Sequence, residues 1–474
     1  MGQEIAHSHF RKHDFMEFDQ RLRKETALLG DVFRDRAFGE THPVAGFEVE
    51  AWLVDRNGLA IPDNPRFLDA VHSDLVTPEL ARFNVELNGM PLALAGKALS
   101  EMQNELECTW TRCQQVAWQE LDGCLLAIGI LPTVREQSLV LENMSTMTRY
   151  RALNESVRRM RKGEPIKLEI QGRELLRTWH EDVMLESAAT SYQLHLQVPQ
   201  NQALRAYNAA IILSAPMVAI SANSPYLFAH DLWDETRIPV FEQAVSVNTE
   251  DYAPRQRVTF GSGYANNSLF ECFEENLAEY PILLPEHLGD NTGEFRHLRL
   301  HNGTVWRWNR PLIGFDREGV PHLRIEHRVM AAGPTIVDMF ANAALFYGLA
   351  QSFMTMPAPP ESRIPFSHAR TNFYRAARDG LDSRLRWFDG HEISAPELLR
   401  ALIPLAREGM HQLDMDHADI ELYLGIIEDR LATGQNGCAW QRQYVSRHGL
   451  DMAALTLAYM ERQKQGSPVH EWTI

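Results

Sequence analysis

The sequence is short of cationic side chains: 46 Lys and Arg stand against 63 Asp and Glu, a formal net charge of −17 over 474 residues. That deficit argues against nucleic acid or an anionic membrane as partner. It does not argue against ATP, which arrives with its own magnesium and meets a local site. Cysteine is scarce as well. Cys108, Cys113, Cys124, Cys272 and Cys438 are odd in number and lack CxxC or zinc spacing, so they read as reduced thiols of a cytoplasmic protein. The charged N-terminus has no signal-peptide apolar segment, and no apolar run reads as long enough to span a bilayer. His297 and His301 lack the HExxH glutamate, and Gly303 with the β-prone tail after it predicts strand or loop, so zinc is not expected there. FGSGY at 260–264 is too short for a P-loop, and no internal repeat or low-complexity tract is evident. Hydrophobic content of 45% and charged content of 23% are those of a globular protein of two lobes or one large decorated domain.

What is present is a recurring pattern. In GFEVEAWLV (Gly46–Val54) period-two alternation places Phe47, Val49, Ala51 and Leu53 on one face and Glu48, Glu50 and Trp52 on the other. Two acids side by side on a strand repel, and burial worsens the repulsion; the ordinary relief is a cation. An edge strand with a solvated face would look the same over nine residues. The recurrence tips the balance. FNVELN (83–88) presents Asn84, Glu86 and Asn88; SYQLHLQV (191–198) presents Ser191, Gln193, His195 and Gln197; LRIEHRV (323–329) presents Arg324, Glu326 and Arg328. Carboxylates, one imidazole, amides and arginines are the inventory of a hard-cation and phosphate site.

Around these strands the spacing predicts an amphipathic helix over 3–37 packed outside the sheet, a DRNG turn at 55–58, a long helix within 97–128 and a buried strand at Ile128–Pro132. Glu79, seven residues before Glu86, is either a further ligand or a helix N-terminal acid. The arginine-rich run 135–190 is a solvated face or a substrate lid. A helix over about 202–220 ends at Ala222–Pro225, and Thr335 can cap a helix starting near Ile336. Trp306 and Trp308, alternating with Arg307, Asn309 and Arg310, are either a nucleotide-binding surface or core. The tail reads as helices at 395–410, 418–433 and 452–464, so residues 1–356 are taken as the catalytic unit and 357–474 as a helical buttress.

GFEVEAWLV, FNVELN, TSYQLHLQV, ANSPYLF, HNGTVWRWNRP and LRIEHRVMAAGPTIVD, in this order, together with YLGIIEDRLATGQNGCAWQ and PVHEW near the end, resemble the glutamate–cysteine ligase type 2 (carboxylate–amine ligase) family. The resemblance implies an α+β fold of the glutamine synthetase superfamily: a curved, mostly antiparallel sheet with an ATP-and-metal site on its concave face and helices on the other. It implies Glu48, Glu50, Glu79, Glu86, His195 and Glu326 as ligands of two to three Mg²⁺ or Mn²⁺ ions, and Arg328 with Glu326 as catalytic. It further implies Arg310, Asn309 and Arg324 as ATP contacts and Arg237 as the grip on an amino-acid carboxylate, in a possible homo-oligomer. The chemistry would be amide formation through an acyl phosphate, releasing ADP and phosphate. Three rivals remain on the residues alone: a metal-dependent hydrolase using the same acids without ATP, a phosphotransferase, and a binding protein on the same scaffold.

Overall fold

The first alternating run becomes the central strand of the protein. The computed structural model describes residues 4–39, 42–249 and 255–474. Among them, β1 (Val44–Asp55), β2 (Val76–Pro78), β3 (Asn84–Asn88), β4 (Leu92–Ala93), β5 (Gly123–Leu126), β6 (Ser191–Val198), β7 (Asn309–Phe315) and β8 (Pro321–Ala331) form one antiparallel sheet. Its order is β7–β8–β6–β1–β3–β2, with β4 and β5 paired to the two ends of β1. The sheet curls into a half-barrel.

Alternation decides which side of the sheet each residue serves. Phe47, Tyr192 and His327 point to the convex side, where Phe47 and Tyr192 pack on Phe340 and His327 stacks on Phe346. Phe340 and Phe346 belong to the helix Ile336–Thr355, whose first turn is capped by Thr335 Oγ1 accepting the Asp338 N–H at 3.2 Å. The second convex-side helix, Gln200–Ser221, corrects one expectation: it is long and apolar enough to cross a membrane, yet 89% of its most apolar window is buried inside the protein. The expected tail helices are Ala395–Gln412, His417–Thr433 and Met452–Gln465, joined by Phe366–Asp379 and Gly437–His448, which were not expected. Phe366–Asp379, Ala395–Gln412 and His417–Thr433 pack on the two convex-side helices, and Gly437–His448 packs on Met452–Gln465. Gly409 and Gly348 allow the closest approach, since a Cβ at Gly409 would lie 1.9 Å from the Gly348 carbonyl oxygen.

Four local expectations are overturned. The N-terminal helix, Lys12–Asp35, packs on the helices Phe270–Glu279 and Arg296–Gly303 rather than on the sheet (residue 3 lies outside the described residues). Arg296–Gly303 is itself a helix where strand or loop was expected. Buried Glu25 accepts the Leu298 N–H at 2.8 Å and meets His297 Nδ1 at 2.6 Å, contacts from a distant helix that no local pattern encodes. The strand expected at Ile128–Pro132 lies earlier, at Gly123–Leu126, because Ala127 exchanges hydrogen bonds with the Gln463 side chain in place of a ladder. Trp52 does not share the polar face. It is fully buried and stacked on Phe83 at 5.2 Å, where β5 joins β1 and both sides are covered.

Candidate active site

Strand register turns the recurring pattern into rows. Arg310 stands opposite Glu326, and Glu326 opposite His195. Glu48 lies between Gln193 and Asn88. Glu50 faces Glu86, which faces Thr77. Cross-strand neighbours bring their side chains within about 5 Å, so carboxylates distant in sequence converge on the concave face. Glu79, just after β2, is not a helix acid; it turns into the same cavity. Two donor groups result, Glu48–His195–Glu326 and Glu50–Glu79–Glu86, each with one donor atom per residue within 4.8 Å of the others.

The two groups differ electrostatically. Burial opposes ionisation of Glu326, but Arg310 and Arg328 outweigh it and hold the carboxyl well below its usual range. Arg310 reaches both Glu326 oxygens, at 2.8 and 3.0 Å, and Arg328 Nη1 lies 2.9 Å from Oε2. His195 Nε2 stands 3.1 Å from Glu48 Oε1, and its Nδ1 has no hydrogen-bond partner among the described residues. In the second group burial prevails, with repulsion between the carboxylates added to it. Burial and the Glu48 charge push Glu86 up to about 8; burial, against the pull of Arg328, raises Glu50 to about 7. Glu79 is raised by burial and Glu50, and nearby Glu186 is raised well above the ordinary value by burial with Glu79 and Glu50. Their hydrogen bonds fix positions without neutralising the charge: Glu50 accepts from the Ser191 N–H at 2.7 Å and Gln193 Nε2 at 2.9 Å, and Glu86 accepts from Asn88 Nδ2 at 3.0 Å. Oxygen-rich, crowded and buried, this set fits hard divalent cations.

The cavity above these rows is lined by the acids Glu48, Glu50, Glu79, Glu86, Glu186 and Glu326 and by the arginines Arg149, Arg299, Arg310, Arg324 and Arg328. An apolar wall of Phe241, Val245, Phe273, Leu298, Leu300 and Trp306 closes one side. Arg324, Arg310 and Arg328 lie at the β7–β8 edge of the sheet. At the opposite end Arg149 acts on Glu79 and donates from Nη2 to the Tyr150 hydroxyl at 2.6 Å.

His195 meets the site through Glu48 without lining the cavity, and two other expected site residues belong neither to the cavity nor to its donor groups. Asn309 neighbours Arg310 in a strand, so it faces the convex side, where it bonds Ser214 Oγ at 2.8 Å and His327 Nδ1 at 2.7 Å. Arg237 is buried at the end of β8, past its pairing with β7, donating to the carbonyls of Arg328 and Val329 and lying 3.4 Å from Glu235 Oε1. Removing one partner of such a buried pair strands the other charge. Arg237→Ala is therefore expected to cost about 3–5 kcal/mol of stability, read by denaturant unfolding, while substrate KM of the folded enzyme stays at the wild-type value. Trp308 and Arg307 are also buried, on Glu242 and on Glu275 with Asn276, so only Trp306 and Arg310 of the Trp/Arg run face the cavity.

Glu186, Tyr150 and Arg299 had not been singled out, and Arg149 only as part of the charged run. Arg149 and Tyr150 open the helix Thr148–Met160, and Glu186 sits in the short helical turn Val183–Ala188 before β6. The arginine density at 149–162 was a signal for the first; nothing local marks Glu186.

The curled antiparallel sheet, with acidic rows on its concave face and helices behind it, is a fold shared with solved ligase structures. Residues 44–461 match the family model described as glutamate-cysteine ligase family 2. The chain belongs to that family and is a carboxylate–amine ligase. Among solved structures it is similar to glutamate–cysteine ligase from Francisella tularensis in complex with AMP (TM-score 0.54, 11% identity, 92% of this chain and 90% of that one). It is also similar to a bifunctional glutathione synthetase from Pasteurella multocida (TM-score 0.52, 10% identity), covering 94% of this chain and 55% of that longer one. These similarities carry the fold. No curated protein sequence matches.

Proposed function

We propose that the protein is an ATP-dependent, glutamate–cysteine ligase-like enzyme. It would phosphorylate a substrate carboxylate and let an amine displace the phosphate, giving an amide, ADP and phosphate. The observation that carries this reading is the pair of donor groups, Glu48–His195–Glu326 and Glu50–Glu79–Glu86, flanked by five arginines in one cavity. A carboxylate is too poor an electrophile for direct attack by an amine. Divalent cations, Mg²⁺ or Mn²⁺, would neutralise the phosphates and the charge developing on the leaving oxygen. Each donor group would hold one ion, which supports two.

The chain's own residues supply the rest. Arg328 stands between the two donor groups and faces the transferring phosphoryl group, where a fixed cation stabilises developing charge. Arg310 and Arg324, with Arg299 at the mouth, offer the ATP phosphates a fork geometry suited to phosphoryl oxygens. The apolar wall with Trp306 takes the adenine ring. Arg149, at the acid-rich end, replaces Arg237 as the grip on the amino-acid carboxylate. A hydrolase would have no need for this arginine edge, which favours the ligase. Every cavity-lining residue falls between Glu48 and Arg328, which supports assigning catalysis to residues 1–356 and a buttressing role to 357–474.

The test is ADP release with Mg²⁺ and ATP, comparing glutamate alone, glutamate with cysteine, and other acid–amine pairs. ADP that appears only with acid and amine together, with the matching amide by mass, is the expected result. Cleavage of an ester or amide with metal alone, and no acid–amine stimulation of ADP release, would put the hydrolase in its place.

A further inference from the structure

The helix Thr148–Met160 has no side-chain cap of its own; Met147 stands at the N-cap position. The cap comes from 144 residues away. Glu4 Oε1 accepts the N–H groups of Thr148 at 2.8 Å and Arg149 at 3.3 Å, two donors that a helix start leaves unsatisfied. A carboxylate there also complements the positive end of the helix dipole. Next along the chain, Ile5 is 4% exposed within the hydrophobic core. Then His7 binds Glu286 twice: its backbone N–H donates to Oε2 at 3.0 Å, and Nδ1 meets Oε1 at 2.8 Å. Glu286 is itself buried and follows Leu284, which lines the cavity together with Leu153 of the helix. Ser156 Oγ donates to the Leu283 carbonyl at 2.8 Å, so the two walls also touch directly.

Residues 4–7 therefore run from one cavity wall to the other. We infer that this segment is a strap that sets the active-site cavity, with Glu4 as the positioning residue for Arg149. The inference rests on the ligase reading for Arg149's role but not for the strap itself. Among the described residues, no hydrogen bond or ion pair joins Glu4 to a proposed metal ligand; it meets the Thr148 and Arg149 N–H groups. It fixes the backbone of the residue whose guanidinium meets the acid-rich end of the cavity. Loss of Glu4 should loosen the first turn of the helix and weaken the hold on a substrate carboxylate, while the ATP end, built on β7 and β8, keeps its shape.

The experiment compares Glu4→Ala with Glu4→Gln, whose amide oxygen can still accept both N–H groups, by amide hydrogen exchange over 148–153 and by steady-state kinetics with glutamate, cysteine and Mg²⁺-ATP. A lost cap costs on the order of 1 kcal/mol, about a fivefold effect. Glu4→Ala should exchange faster over 148–153 and raise the glutamate KM about fivefold, with the ATP KM unchanged and Glu4→Gln close to wild type. Wild-type exchange in Glu4→Ala would overturn the strap. So would faster exchange without a change in glutamate KM, or an equal rise in the ATP KM, which marks a general structural loss. If the wild type releases no ADP with glutamate and cysteine, the substrate assignment fails, and the exchange of Glu4→Ala over 148–153 alone decides the strap.

Discussion

Glu48→Gln is expected to lower Mg²⁺-ATP turnover by about 100- to 1,000-fold or more while the protein stays folded, and Glu326→Gln to do the same. Each change removes one negative donor from the Glu48–His195–Glu326 group and keeps the side-chain volume. The two variants differ in a second respect. Glu326 neutralises Arg310 and Arg328, so Glu326→Gln also leaves two partly buried guanidiniums facing a neutral amide and should lower the melting temperature. Glu48→Gln leaves that pair of bridges in place and is the cleaner probe of catalysis. Circular dichroism verifies folding, and ADP release measures turnover. Unimpaired turnover in both variants would remove the site assignment.

Glu86→Gln should lose activity about as severely yet make the metal-free protein more stable. Glu86 is pushed up to about 8 by burial and the Glu48 charge, and Glu50 to about 7 by burial, so the folded protein holds their protons more tightly than the unfolded chain does. A carboxyl raised on folding contributes stability that is complete below its ordinary value near 4.5 and is lost as pH rises through the folded value. In EDTA, the wild-type melting temperature should therefore fall between about pH 5 and 9, with Glu86 a main contributor. Glu86→Gln removes that contribution: its curve should be flatter, and at pH 8 it should melt a few degrees higher than the wild type. Added Mg²⁺ should stabilise the wild type more than the variant. A variant less stable than wild type at every pH would show that Glu86 is a structural hydrogen-bond acceptor rather than a member of a charge-crowded cation site.

The contrast between these variants shows what the sequence made legible. Period-two alternation is local, and it placed Glu48, Glu50, Glu86, His195, Glu326 and Arg328 on polar strand faces; the register then made those faces one surface. The same rule, applied strictly, separates Asn309 from Arg310, because neighbours on a strand cannot serve one face. Proximity in sequence had grouped them wrongly. Arg237 lies outside the cavity lining for another reason: an arginine that satisfies backbone carbonyls in a core carries no mark distinguishing it from one that grips substrate. The helix at Arg296–Gly303 was hidden because its start is completed by Glu25, about 270 residues earlier. Glu4 and Arg149 are likewise joined only by tertiary contact. Local periodicity reports which way a side chain points, whereas caps and second walls are set by partners far along the chain.

In the proposed reaction the cavity transfers phosphate to a carboxylate before the amide forms. The most direct measurement uses glutamate labelled with ¹⁸O in its γ-carboxylate, together with cysteine, ATP and Mg²⁺. Mass analysis of the phosphate released follows the label. If an acyl phosphate forms, one ¹⁸O passes into inorganic phosphate for each amide made. Amide formation with unlabelled phosphate, or ADP release that proceeds equally without the acid, would contradict the account.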